Sequence, residues 1–378
     1  MKKHRTLHCL LIDIVCAGVA LVVFALFHHV LPRQQQSMAI VIDNPAQTVS
    51  AVQEEETQTT VAAARVASAA KSDAPERASA TSAGTSRQSG RNRGSKNGGS
   101  MNSKGGSALT GNESAADAGT DDTPISEKFA EKYTDTVTVT ENSYSSPDLS
   151  VTVTEETLGN IRYYLADIYV RDITCFRSAL AQNTYGSGFR DSIEDMAILN
   201  QALLAVNGDY YGNTTEGVVI RNGVIYRANP TDCDVCVLYY DGTMRVMPGA
   251  SFSVEEAITQ GAWQAWTFGP ALLDTDGSVL TSFASTGRII SANPRTAIGY
   301  YEPGHYCLVV VDGRGESAGI TLPDLSQLFS DLGCTAAYNL DGGNSSVMVW
   351  NDAVINNPSG GGRESSDALL IVEAKAYE

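Results

Sequence analysis

The chain has 378 residues, 43% of them hydrophobic and 7% aromatic, with a formal net charge of −17. The charge is partitioned: residues 1–32 carry +2, residues 33–123 carry −1, and residues 124–378 carry −18, from 14 Lys/Arg against 32 Asp/Glu. So acidic a C-terminal region excludes generic nucleic-acid binding, and its single histidine, His305, excludes a multi-histidine metal site there.

Residues 10–27 are apolar, interrupted by Asp13 and Gly18, and follow Lys2, Lys3 and Arg5. Eighteen residues is near the lower limit for a bilayer-spanning helix, and the preceding cations place the N-terminus in the cytoplasm. Phe27-His28-His29-Val30-Leu31-Pro32 lacks the small-residue pattern of a cleavage site, so an uncleaved signal anchor is expected over residues 1–32. Residues 33–123 contain no aromatic residue and are rich in Ala, Ser, Thr and Gly. Such a segment buries too little apolar surface to offset chain entropy and is expected to be a disordered linker. A flexible coil of this length spans roughly 50 Å.

A domain is expected over residues 124–378. Thr136–Thr140 and Val151–Thr154 alternate as strands do, and Ile161–Val170 is a longer strand candidate. Ser192-Ile-Glu-Asp195 reads as a capping box opening a helix through about Gln201. Leu203–Val206 is a short buried strand ending at Asn207-Gly208-Asp209. Asn222-Gly223 and Asp241-Gly242 each mark the turn of a hairpin. Ser253 opens a second short helix. Tyr306–Val311 is a buried strand ending at Asp312-Gly313-Arg314. Thr321-Leu-Pro-Asp324 starts a helix that stops at Gly333, and Cys334–Leu340 is the next strand, ending at Asp341-Gly342-Gly343. These elements predict an α+β (mixed α/β) fold: mixed β-sheets with a βαβ unit and packed helices. If the two strands of that unit are parallel neighbours, Asp312 and Asp341 emerge at one sheet edge. Two acids in one cleft is the arrangement of glycoside chemistry.

The chain resembles the phosphodiester glycosidase family from about Ile161 to Val372. The resemblance rests on Ala205-Val-Asn-Gly-Asp-Tyr-Tyr211, Phe268-Gly-Pro270, Pro294-Arg-Thr-Ala-Ile-Gly299, Val311-Asp-Gly-Arg314, Gly319-Ile-Thr-Leu322, Asn339-Leu-Asp-Gly-Gly-Asn-Ser-Ser346 and Arg363, in that order. Gly208-Asp209-Tyr210-Tyr211 departs from the family's usual run after its Asn, and Asn344 stands where a third Gly is common. The resemblance implies hydrolysis of a bond between an anomeric carbon and a phosphate oxygen, in a phosphodiester-linked glycan. Asp341 and Asp312 are the first candidates for the working carboxylate, with Asp209 third, and Asn207 beside them. Arg295, Arg314 and Arg363 are assigned to the phosphate, because guanidiniums present fixed forks to its oxygens. Asn339, Gly342, Gly343, Ser345, Ser346 and Thr321 complete the expected substrate-binding set. No cofactor or metal is expected.

Other residues have a plain structural reading beside the functional one. His305 reads as a rim residue, Trp263 and Trp266 as core, and Cys233-Asp-Val-Cys236 as either a local disulfide or two free thiols. The expectation is a membrane-anchored extracellular glycosidase acting on cell-wall or exopolysaccharide phosphodiesters. Its competitors are a non-catalytic glycan-binding or export module and a phosphodiesterase cutting the P–O bond.

Overall fold

A computed structural model describes residues 123–374, the segments 33–34, 37–38 and 40–45, and positions 15, 17–19 and 21. Most of the expected membrane segment and most of the expected linker thus fall outside the described residues. Among the described residues no helix is long and apolar enough to cross a membrane.

The fold is mostly antiparallel β-sheet with few helices, which corrects the expectation of mixed sheets with packed helices. A seven-stranded sheet runs in the order 336–339, 295–302, 305–311, 161–170, 149–158, 143–145, 138–139. A six-stranded sheet is built on Asp234–Tyr239, Ala262–Thr267 and Gly217–Arg221, and Ile40–Val41 forms its edge strand by pairing with Val224–Asn229. Ile42, one residue further, is buried and donates its N–H to the Gly223 carbonyl at 2.7 Å. Part of the segment expected as linker therefore pairs with the domain. The third sheet has five strands, with Leu204–Asn207 flanked by Met348–Trp350 and Asp367–Ile371.

The expected strand–helix–strand unit exists, but its strands are not neighbours. Arg295–Glu302 lies between His305–Val311 and Ala336–Asn339 and is antiparallel to both. The outer two therefore run the same way. The register places Arg295 opposite Val311 and Ala297 opposite Asn339, so Arg295, Asp312 and Asp341 gather at one sheet edge. The connecting helix, Leu322–Asp331, starts at Thr321, whose Oγ1 accepts from the Asp324 N–H. It buries Leu322, Leu325, Leu328 and Phe329 against Ala297, Val309 and Val311 of the sheet. Each such side chain contributes roughly 1.5–3 kcal/mol when removed from water, so this helix fixes the spacing of the strands whose ends form the site. On the opposite face Tyr306, Leu308 and Val310 enter the main core with Trp263 and Trp266.

Candidate active site

A cavity of about 370 Å³ opens at that edge. Its lining includes Tyr210, Phe268, Arg288, Asn293, Arg295, Arg314, Asp341, Gly342, Gly343, Asn344 and Arg363. Six of the residues expected from the sequence thus meet in one cavity: Arg295, Arg314, Arg363, Asp341, Gly342 and Gly343.

Asp341 follows the strand Ala336–Asn339 and is 9% exposed. Its Oδ1 accepts from the Gly342 N–H at 2.9 Å, and its Oδ2 accepts from Arg363 Nη2 at 2.7 Å. Burial pushes its carboxyl above the usual range, opposed by Ser345, Arg363 and the Gly342 N–H. A carboxylate held by directed donors at a cavity wall has the properties of a general base, a nucleophile or a cation stabiliser. Arg363 also donates through Nε to Ser345 Oγ at 2.9 Å and lies over the Tyr210 ring, 5.4 Å from its centroid. Ser345 is fully buried, so it aims Arg363 from behind the cavity wall.

Arg314 extends from a residue at φ +61, donating to Asn344 Oδ1 at 2.9 Å and Asn293 Oδ1 at 2.8 Å. Gly343, at φ +69, leaves room for it: a Cβ there would lie 3.2 Å from both terminal nitrogens of Arg314. Arg295 is 4% exposed and donates to the carbonyls of Ile320 at 3.3 Å, Ser291 at 2.8 Å and Ile289. Burial lowers its pKa to about 10, and the Arg314 charge adds to the effect. Two guanidiniums held close, with oxygen dipoles but no carboxylate as hydrogen-bond partners, make an anion site inside an acidic domain.

The remaining expected residues do not line the cavity. Asn207 is fully buried; its Nδ2 donates to the Asp341 carbonyl at 2.7 Å and its Oδ1 accepts from Thr296 Oγ1 at 2.6 Å. Gly208 permits close packing, since a Cβ there would lie 2.2 Å from Asp367 Oδ1, and its carbonyl accepts from the Asp341 N–H. Asp209 and Asp367 flank the fully buried Arg221, each 2.8 Å from its Nη2. Burial and the Asp209 charge raise the Asp367 carboxyl, while Arg221 opposes them. The Asn-Gly-Asp run is therefore the floor under Asp341, not part of the cavity lining. Asp312 is 4% exposed, and its carboxylate accepts from Asn356 Nδ2 at 2.9 Å and the Asn357 N–H at 3.1 Å, tying two loops together. Asn339 donates to the Gly269 carbonyl at 2.7 Å, Ser346 is buried, and Thr321 caps its helix.

His305 sits at the other end of its strand, hydrogen-bonded to Asp167 at 2.7 Å and stacked between Tyr301 and Tyr169. Six strand residues, Tyr306–Val311, separate it from Asp312, roughly 20 Å. Cys233 is exposed and Cys236 buried in the core, both as free thiols. Among the described residues no group of three or more His, Cys, Asp or Glu is placed to hold a metal ion. Sequence reasoning missed Arg288 and Asn293, which lie in a short turn without hydrophobic periodicity.

Residues 200–372 match the family model described as phosphodiester glycosidase. The chain is 30% identical over 275 residues to the SPbeta prophage-derived uncharacterized protein YomE of Bacillus subtilis, covering 65% of this chain and 42% of that protein. It is 37% identical over 78 residues to the N-acetylglucosamine-1-phosphodiester alpha-N-acetylglucosaminidase of Bos taurus, covering 21% of this chain and 14% of that one. The chain thus spans less than half the length of either relative. Among solved structures, the catalytic domain of the zebrafish N-acetylglucosamine-1-phosphodiester alpha-N-acetylglucosaminidase, auto-inhibited by its pro-peptide, aligns at 19% identity and a TM-score of 0.49, covering 60% of this chain and 83% of that one. The family match thus identifies residues 200–372, a little under half of the chain, as a phosphodiester glycosidase domain.

Proposed function

We propose that the protein hydrolyses sugar-1-phosphate diesters at the Asp341 cavity. The observation that carries this reading is the meeting of one constrained carboxylate with Arg295, Arg314 and Arg363 around a single cavity. The phosphate rests on Arg295 and Arg314, and the sugar lies toward Asp341, with Phe268 and Tyr210 as apolar walls. The C1–O bond breaks and the phosphate leaves with the electron pair. The guanidiniums stabilise that leaving charge in a partly dehydrated site. Asp341 stabilises the cationic sugar, and water supplies the new oxygen at C1 and loses its proton to a basic oxygen of the site. A phosphate monoester is a good leaving group, so strong general-acid help is not required.

The location and substrate belong to the same proposal. The apolar run at residues 10–27, preceded by three cations, supports a single-pass anchor with the domain outside the cell. Phosphodiester-linked cell-wall or exopolysaccharide chains are the substrate class that fits such a placement. The test is release of free sugar from an N-acetylglucosamine-1-phosphodiester by the purified protein. Turnover should fall at least about 10²-fold in Asp341→Asn and also fall in Arg314→Ala. Turnover that survives both changes overturns the site, and saturable glycan binding without turnover overturns the activity.

A further inference from the structure

The cavity holds more positive charge than one phosphodiester balances. Four guanidiniums line it: Arg288, Arg295, Arg314 and Arg363. Arg363 is paired with Asp341 at 2.7 Å. Among the described residues the other three have no carboxylate within ion-pair distance, whereas Arg162 and Arg221 elsewhere in the domain each contact two. A phosphodiester carries a single negative charge. Seated on Arg295 and Arg314 it leaves Arg288 unopposed.

Arg288 also differs from an ordinary solvated arginine in how its backbone is held. It lies in the short helical turn Gly287–Ile290. Its carbonyl accepts from Asn293 Nδ2 and from Ser291 Oγ, both at 3.0 Å. Arg295 donates into the same turn at the Ile289 and Ser291 carbonyls, and Asn293 Oδ1 accepts from Arg314 at 2.8 Å. The two guanidiniums that form the anion site therefore brace the turn that carries the third. The Arg288 side chain is exposed at the cavity wall and has no hydrogen-bond partner among the described residues.

We propose that Arg288 receives a second phosphate, carried on the aglycone side of the scissile bond. The preferred substrates are then glycosyl phosphates whose aglycone is itself phosphorylated, as in a chain of repeated phosphodiesters. This rests on the reading of the cavity as a phosphodiester site and adds a specificity-determining residue to it.

The test uses the full protein with two substrates that share sugar and scissile phosphate, one with a methyl aglycone and one with a glycerol phosphate aglycone. The wild type should favour the phosphorylated aglycone by about three- to tenfold in kcat/KM, mainly through KM, with the preference weakening at high salt. In Arg288→Ala the ratio should fall toward one, and Arg288→Lys should keep part of it. A global loss of folded protein scales both substrates alike and leaves the ratio untouched. In parallel, calorimetry compares glycerol bisphosphate with glycerol monophosphate as ligands of the wild type and Arg288→Ala. Tighter bisphosphate binding that Arg288→Ala abolishes supports the second site even if no substrate turns over, in which case only the hydrolytic reading fails. Equal use or equal binding of the paired compounds by the wild type overturns the inference, as does a preference that persists in Arg288→Ala.

Discussion

Replacing Asn207 by alanine separates a positioning role from direct substrate contact. The Asn207 amide makes four buried contacts: donation to the Asp341 carbonyl at 2.7 Å and the Gly208 carbonyl at 3.2 Å, and acceptance from Thr296 Oγ1 at 2.6 Å and the Val347 N–H at 3.4 Å. Truncation strands at least the Thr296 hydroxyl and the Asp341 carbonyl, two strong partners at a position with no exposure. Each stranded group costs about 1–3 kcal/mol. Some relaxation is expected, so the loss of stability is roughly 2–4 kcal/mol. For a domain of this size 1 kcal/mol shifts Tm by about 2–4 °C, which gives a drop of roughly 5–15 °C by calorimetry. Activity measured well below the new Tm should fall about tenfold or more, because the loop carrying Asp341 loses its anchor. An unchanged Tm together with about a thousandfold loss of turnover would refute this account, since it requires Asn207 to touch the substrate directly.

Three further changes probe the rest of the site. The Asp341 carboxyl is raised by burial and held down by Arg363, so the acidic limb of kcat/KM should lie above the ordinary aspartate value near 3.9. In Arg363→Ala that limb should move to still higher pH, and a shift to lower pH contradicts the assignment. Arg221→Ala leaves Asp209 and Asp367 buried without their shared cation and should cost about 3–5 kcal/mol in denaturant unfolding. Without Arg221 the folded state binds protons more tightly than the unfolded chain, so this loss should shrink as pH falls; a loss that grows toward acid refutes the ion-triad reading. Asp312→Asn weakens acceptance from Asn356 and Asn357 and should lower stability by about 1–2 kcal/mol while turnover falls less than tenfold. A loss equal to that of Asp341→Asn would return Asp312 to the chemistry.

Local elements were legible because their signals are local. Ser192 and Thr321 cap their helices through the N–H of the third residue on, as the spacing predicts. Asn222-Gly223 turns its hairpin with both residues at positive φ. The sheet order was not legible. Arg295–Glu302 is buried on both faces over most of its length and shows no alternation, so nothing in the sequence announces the strand that separates the expected neighbours. The same insertion brings Arg295 to the edge with Asp341. The family resemblance found Arg295, Arg314, Arg363 and Asp341 of the cavity lining, yet it could not tell lining from scaffold. Asp209 reads as a candidate acid until Arg221 and Asp367, distant in sequence, close around it. Arg288 and Asn293 carry no periodicity or cap signal, and only the hydrogen bonds of Arg295 and Arg314 single out their turn.

The bond that breaks is the most direct test of the account. The purified protein is given a glycosyl phosphodiester in ¹⁸O-water, and the products are read by mass spectrometry before the label exchanges. Cleavage at Asp341 between C1 and oxygen places ¹⁸O on the sugar and leaves the phosphate monoester unlabelled. Label in the phosphate would show attack at phosphorus and contradict the assignment of Asp341 to the anomeric carbon.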